Sequence, residues 1–372
     1  MVRSFRRFAS PLMLLMPAVT MTIAAAGEPR SVVQCIADLQ NADVVVRRYA
    51  ARELRRLGPA AAPAAEKLLQ TLEGDDVPLN QAAADALVEI GEPILPLLLE
   101  RLPKLAPSPQ AAALQVFARY ADKLPDSAPV VILPLLQSPD EELVERAGTA
   151  LGSMGPKLAP IVTQLFELGF DEDSPQSAKA VAARGALHGL GKEFHRILPL
   201  LAARLETTKS GESLHNAGNL LAWLKSESPR EEEIKIIPDL VKLARSPSGA
   251  VHTHAMFRLA RLGGDARPAV DGLETLIRDA SVDKRARYVA VRCLTAIVGP
   301  AGVSRIIALA DVDSVEVRAA VVVSLAELGL AAPGVRKTLE AFLDDDNEHV
   351  RGLSSGVLAA AAANHYENPK QP

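Results

Sequence analysis

Ala50-Ala51-Arg52-Glu53-Leu54-Arg55-Arg56-Leu57-Gly58 sets a small residue, an apolar residue four positions on, another three further, and then a closing glycine. That spacing places Ala50, Leu54 and Leu57 on one stripe of an α-helix, because side chains three and four apart share a face. The phrase recurs as Ala83-Leu87-Ile90, Ala113-Phe117-Tyr120, Ala147-Leu151-Met154, Ala183-Leu187-Leu190, Ala217-Leu221-Leu224, Ala255-Leu259-Leu262, Val321-Leu325-Leu328 and Ser354-Leu358-Ala361. One further copy, Ala290-Leu294 with Val298 and Gly299, carries an inserted residue. Gly58, Gly91, Gly155, Gly191, Gly263 and Gly329 close six of the others. Successive copies start about 30–38 residues apart, the period of a helical solenoid. The expected fold is all-α, a right-handed α-solenoid of about ten helix pairs.

In each pair the phrase marks the second helix. Acidic or turn residues precede it, as at Asn41-Ala42-Asp43, Asp75-Asp76, Ser138-Pro139-Asp140 and Asp344 to Asn347. Such side chains cap free backbone N–H groups and suit the positive end of the helix dipole. Glycine at the far end predicts a left-handed C-cap. Proline follows the glycine by five residues in four units (Pro63, Pro96, Pro160 and Pro268), a placement tolerated near a helix start. This frame predicts pairs near 29–58, 59–91, 92–124, 125–155, 156–191, 192–226, 227–263, 264–299, 300–329 and 330–362, forming one continuous domain. Residues 363–372 read as a polar, disordered tail.

The N-terminus reads as a targeting segment. Arg3, Arg6 and Arg7 precede an uncharged stretch, and Ala24-Ala25-Ala26 offers a cleavage site before Gly27. Residues 1–26 are therefore expected to be a signal peptide of an exported, periplasmic or extracellular protein, the alternative being an uncleaved anchor. Pro11 and Pro17 interrupt the apolar run, so no stable membrane span is expected after cleavage. Loss of three leader arginines would take the formal net charge from −4 to −7. An acidic chain is poorly suited to phosphate backbones. Aromatic content of 3% also leaves few stacking platforms for sugars or single strands, so no nucleic acid is expected as a partner. Cys35 and Cys293 lie seven repeats apart, too far for a disulfide, and read as buried small apolar residues.

The proline-bearing first helices and the Val-Arg/Ala-Ala/Leu-Gly second helices resemble HEAT repeats, in particular the short bacterial subclass first associated with phycobilisome lyases. Val46-Arg47 with Ala50-Ala51, Val317-Arg318 with Ala319-Ala320, and Val350-Arg351 carry the resemblance, which covers about 29–362. It implies a protein-binding scaffold whose second helices line a concave surface. It also implies that an arginine of the second helix bonds an aspartate of the turn. Asp43/Arg47, Asp313/Arg318 and Asp346/Arg351 match that arrangement, while repeats 2, 3, 6 and 7 depart from it.

With the phrase as the buried stripe, the opposite face falls chiefly two and six residues before the closing glycine. Repeats 5 to 7 present Gly185, Gly189, Asn219, Trp223, Phe257 and Arg261 there. Tryptophan and arginine are favoured binding anchors, and the glycines would leave room for a partner's backbone. They would equally permit close helix packing, and Trp223 could fold over the loop that follows it. Repeat 1 presents Arg48, Arg52, Arg55 and Arg56, either a patch for an acidic partner or the polar cap of a terminal repeat. His252 and His254 are two apart, unlike the i, i+4 pairing of a zinc helix, and no ligand cluster accompanies them. No nucleophile elbow, phosphate loop or dinucleotide fingerprint appears. The expectation is therefore a non-catalytic scaffold without metal or cofactor, binding another protein or peptide. An enzyme or enzyme accessory of the phycobilisome-lyase-like class, or a nucleic-acid scaffold, are the alternatives.

Overall fold

The computed structural model describes residues 30–208, 211–222 and 229–367. The leader at 1–26 and residues 368–372 lie outside them. Every regular element among the described residues is helical. Ten second helices follow in order: α1 Val44–Leu57, α2 Val77–Ile90, α3 Pro107–Arg119, α4 Glu141–Ser153, α5 Ala178–His188, α6 Gly211–Ala222, α7 Gly249–Leu262, α8 Lys284–Val298, α9 Val315–Leu328 and α10 Glu348–Glu367. Each is preceded by a first helix, such as Ala65–Thr71 before α2 or Val270–Arg278 before α8. The molecule is a right-handed α-solenoid of about ten helix pairs.

The repeated phrase is the core. Ala50, Leu54, Ala83, Leu87, Ala113, Phe117, Ala147, Leu151, Ala183, Leu187, Ala255, Leu259, Ala290, Leu294, Val321 and Leu325 are all buried. Small residues open the phrase because each second helix lies against the next, and a larger side chain there would hold them apart. Cys35 and Cys293 are free and buried. α10 continues to Glu367, five residues into the segment expected to be disordered. The run from Ala359 to Ala363 supplies the best helix propensity available, which carries the helix past the array.

The N-caps follow the expected chemistry: Asp43 accepts from Val45 N–H at 2.8 Å, Asp76 from Leu79 at 2.7 Å and Asp283 from Arg285 at 2.9 Å. The C-caps do not. Gly58, Gly91 and Gly263 have positive φ (55°, 67° and 55°), but ψ is −133°, −127° and −128°, far from the left-handed helical value near +47°. This is the first central position of a type II′ turn, a region open to glycine alone. The reversal follows from what comes next: the chain turns straight into a 3₁₀ segment of the following repeat, Gly58–Ala64 or Gly263–Ala269. Pro63 and Pro268 lie inside those segments, so proline delays the start of the α-helix and bends nothing. Asparagine, which serves left-handed caps, cannot serve here. Gly58→Asn and Gly58→Ala are each expected to lose about 1–3 kcal/mol in chemical unfolding, with no advantage to asparagine; a near-native asparagine variant would contradict the assignment.

The turn between the two helices is held by a donor three residues before the small residue of the phrase. Arg47 Nη1 donates to Asn41 O (2.7 Å) and Ala42 O (2.9 Å), Asn80 to Gly74 O (2.6 Å) and Gln110 to Leu102 O (3.1 Å). His252 Nδ1 meets Ser246 O at 3.1 Å, Arg287 Nε donates to Ile277 O at 2.7 Å, and Arg351 Nη1 to Asp345 O (2.7 Å) and Asp346 O (3.0 Å). All these carbonyls lie at or just past the end of a first helix, where intrahelical donors run out. The expected pairs Asp43/Arg47 and Asp346/Arg351 therefore form differently. Each arginine serves main-chain oxygens, and the Asp43 side chain is engaged in capping α1. Asp313/Arg318 is replaced too: Arg318 is bidentate on Asp345 of the next turn, at 2.7 and 3.1 Å. That pairing holds the Asp345 carboxyl below the usual carboxylate range. In repeat 5, Arg184 takes over by reaching Gly169 O at 2.6 Å; repeats 4 and 6 place Val144 and Leu214 at the position.

Charge pairs run one repeat along: Arg48–Asp76, Arg55–Asp85, Arg119–Glu89, Arg245–Asp279, Arg278–Asp311, Lys284–Glu316 and Arg292–Glu327. Exposed pairs of this kind are each worth at most about 1 kcal/mol. Their role is registration of neighbouring repeats, the only contacts a solenoid has.

Candidate functional site

Two of the four patch arginines of repeat 1 belong to that ladder and a third pairs within its own helix. Arg48 is bidentate on Asp76 at 3.0 and 2.6 Å, Arg55 pairs with Asp85 at 3.2 Å and Arg56 with Glu53 at 3.2 Å; Arg52 is exposed. Arg48 and Arg55 thus tie repeat 1 to repeat 2.

Between α4 and α5 no ion pair spans the joint among the described residues. Glycines make it instead. A Cβ built on Gly189 would stand 1.9 Å from the carbonyl oxygen of Gly152, and one on Gly148 would stand 2.8 Å from the Ala182 Cβ. The backbones of the two helices touch through these positions. Gly185 behaves differently: it is exposed, has no atom within 4 Å of a Cβ position, and has no positive φ to require glycine.

Gly185 floors a groove of about 900 Å³ running between α4 and α5. Glu141, Glu145, Thr149 and Ser153 line one wall; Val181 and His188 line the other. Thr149 and Ser153 donate their hydroxyls to main-chain oxygens one turn back, at 3.0 Å each, so that wall is smoother and less polar than its composition implies. Val181 is half exposed. Burial, reinforced by Arg184, pushes the His188 imidazole below its ordinary pKa and favours the neutral ring.

On α6, Asn219 is exposed and lies 3.0 Å from His215 Nε2 one turn earlier. Trp223 lies outside the described residues. On α7, Phe257 and Arg261 both project to solvent, as the register predicts. Beneath them is a feature the register did not reveal. Glu233 is only 1% exposed, and its Oε1 accepts from Arg258 Nη1 at 2.8 Å and from Arg261 Nη2 at 3.0 Å. Burial lowers the pKa of Arg258, partly offset by Glu233. One signal was present: Arg258 adjoins Leu259 of the phrase, and an arginine at the edge of the buried stripe demands a buried acceptor. The face of repeats 4 to 7 thus passes from an acidic, glycine-floored groove to an aromatic and cationic end.

His252 and His254 diverge, the first buried on Ser246 O and the second partly exposed. Among the described residues no three His, Cys, Asp or Glu side chains are grouped to hold a metal. No single described helix is long and apolar enough to cross a membrane.

No protein-family model and no curated protein matches the sequence. Solved structures do match in fold. Kap121p bound to the extreme C-terminus of the protein phosphatase Cdc14p superposes with a TM-score of 0.51 at 14% identity, covering 88% of this chain and 41% of that one. Kap121p bound to Pho4p gives 0.50 at 14% identity with the same coverage. The chain spans about two fifths of the length of these karyopherins, which are HEAT-repeat solenoids.

Proposed function

We propose that this protein is an exported, non-catalytic HEAT-type scaffold that binds another protein along the exposed face of its second helices, the concave side of the array. The carrying observation is Gly185. A glycine within a helix costs about 1 kcal/mol relative to alanine, and neither packing nor backbone geometry requires one here. Its place on the floor of the α4–α5 groove gives it a use, which is to let a partner's backbone approach closely. The expected partner is a protein or peptide; the acidic balance of the chain and its few aromatics argue against nucleic acid. The charged, then apolar, leader supports export.

The test exploits opposite signs. Gly185→Ala is expected to stabilise α5 by up to about 1 kcal/mol, read by denaturant unfolding, while weakening capture of the partner from the native envelope fraction. Gly185→Leu should abolish that capture with helicity retained. Capture unaffected by leucine would remove the groove from the reading, and product turnover by the purified protein would replace the scaffold with an enzyme.

A further inference from the structure

The cationic end of the face has a more specific chemistry than a generic docking surface. An arginine on its flexible stem ordinarily loses side-chain freedom on binding. Arg261 is already oriented, because the buried Glu233 carboxylate accepts its Nη2 at 3.0 Å. The same oxygen also accepts from Arg258 Nη1 at 2.8 Å, which fixes it in place beneath Arg261. Arg261 keeps 45% of its side chain exposed, and among the described residues Glu233 is its one acceptor. Among the described residues of the same repeat, Glu232 pairs with Lys235 and lies 3.7 Å from His195 Nε2, and Arg230 pairs with Asp265. Burial and Arg258 press His254, on the same helix, toward its neutral form.

One turn before Arg261 stands Phe257, 65% exposed and the largest apolar side chain so exposed among the described residues. Burying a phenylalanine removes about 150–250 Å² from water. The two side chains lie at i and i+4 of one helix, roughly 5–6 Å apart at Cβ. Alternate residues of an extended chain point the same way at roughly 6.5 Å spacing. The geometry therefore matches a two-pronged contact with an extended segment.

We propose that Phe257 and Arg261 dock an extended protein segment carrying a large apolar residue followed two positions later by aspartate or glutamate. The apolar prong packs on the Phe257 ring, and the carboxylate takes the free N–H edge of Arg261, the fork geometry that suits it. The occupant is argued from charge complementarity: an acidic side chain meets the solvent-exposed edge of a guanidinium group held from beneath. The inference rests on the scaffold reading above and names the chemistry of its partner.

The test uses the leaderless full-length protein and three fluorescein-labelled decapeptides with Gly-Ser flanks, whose centres are Phe-Ser-Glu, Phe-Ser-Gln and Ala-Ser-Glu, followed by anisotropy. The first should bind, and each of the others about tenfold or more weakly, the value of one charge-assisted hydrogen bond or one lost apolar anchor. Arg261→Gln should erase the Glu-over-Gln preference and Phe257→Ala the Phe-over-Ala preference, with helicity retained in both and each variant's preference read against its own binding of the Gly-Ser-flanked controls. Arg261→Lys, which keeps the charge and loses the fork, should fall between. Absence of binding by the Phe-Ser-Glu peptide overturns the proposal. So does equal binding of the Gln peptide, a preference that survives Arg261→Gln, or tighter binding of an oligothymidylate than of the peptide. If Gly185→Leu abolishes partner capture while Arg261→Gln changes neither capture nor peptide binding, this inference fails and the scaffold stands. If the Glu peptide is preferred but no partner is captured, the wider reading fails and this contact stands.

Discussion

Glu233→Gln is expected to destabilise repeat 7 by about 1.5–3 kcal/mol, the usual worth of hydrogen bonds between charged groups out of reach of water. The substitution keeps shape and removes only the charge that Arg258 and Arg261 share. Because a solenoid repeat leans only on its neighbours, the damage should stay local, with faster amide exchange in α6, α7 and α8 and little change in α1 to α3. Adding Arg258→Met should restore most of the loss, since an apolar side chain of similar reach does not need a carboxylate. A single variant that loses less than about 1 kcal/mol would show that the cluster behaves as an exposed pair.

The second large effect is at Gly189. Alanine there would put its Cβ 1.9 Å from the Gly152 carbonyl oxygen, and no side chain stands between to swing aside. Relief requires moving α4 and α5 apart, at a cost of about 1–3 kcal/mol or more. Gly185→Ala, four residues earlier, should change stability with the opposite sign. Parallel denaturation of the two variants checks this directly, and losses of equal size would mean that the two glycines do the same work.

That contrast shows where reading the sequence stops. The phrase places Gly185 and Gly189 at equivalent offsets, six and two residues before Gly191, and predicts the same exposure for both. α5 ends at His188, however, and the chain beyond it closes on Gly152. Local spacing fixes which face a residue takes within a helix, and so the core stripe, the ten pairs and the outward phase of Phe257 were legible. It does not fix what stands opposite. The partners of Arg48 and Arg318 lie 28 and 27 residues on, in the next repeat, where several acids compete. The cap glycines carry the same limit, since their positive φ is implied by residue type while ψ depends on the 3₁₀ turn that follows. Glu233 was invisible for a further reason: it ends a run of three glutamates, and only packing decides which one is buried.

The carbonyl-holding position three residues before the phrase has a consequence for how such a chain ages. Arginine, asparagine, glutamine and histidine all fill it in this one molecule, each by offering N–H to the same kind of oxygen. In the repeats where a donor fills it, the joint asks for adequate reach and is indifferent to which residue brings it. A column of that sort works like a lock that any of several keys will turn. Letters can be exchanged there without disturbing the hinge they fasten, so spelling drifts while architecture stays.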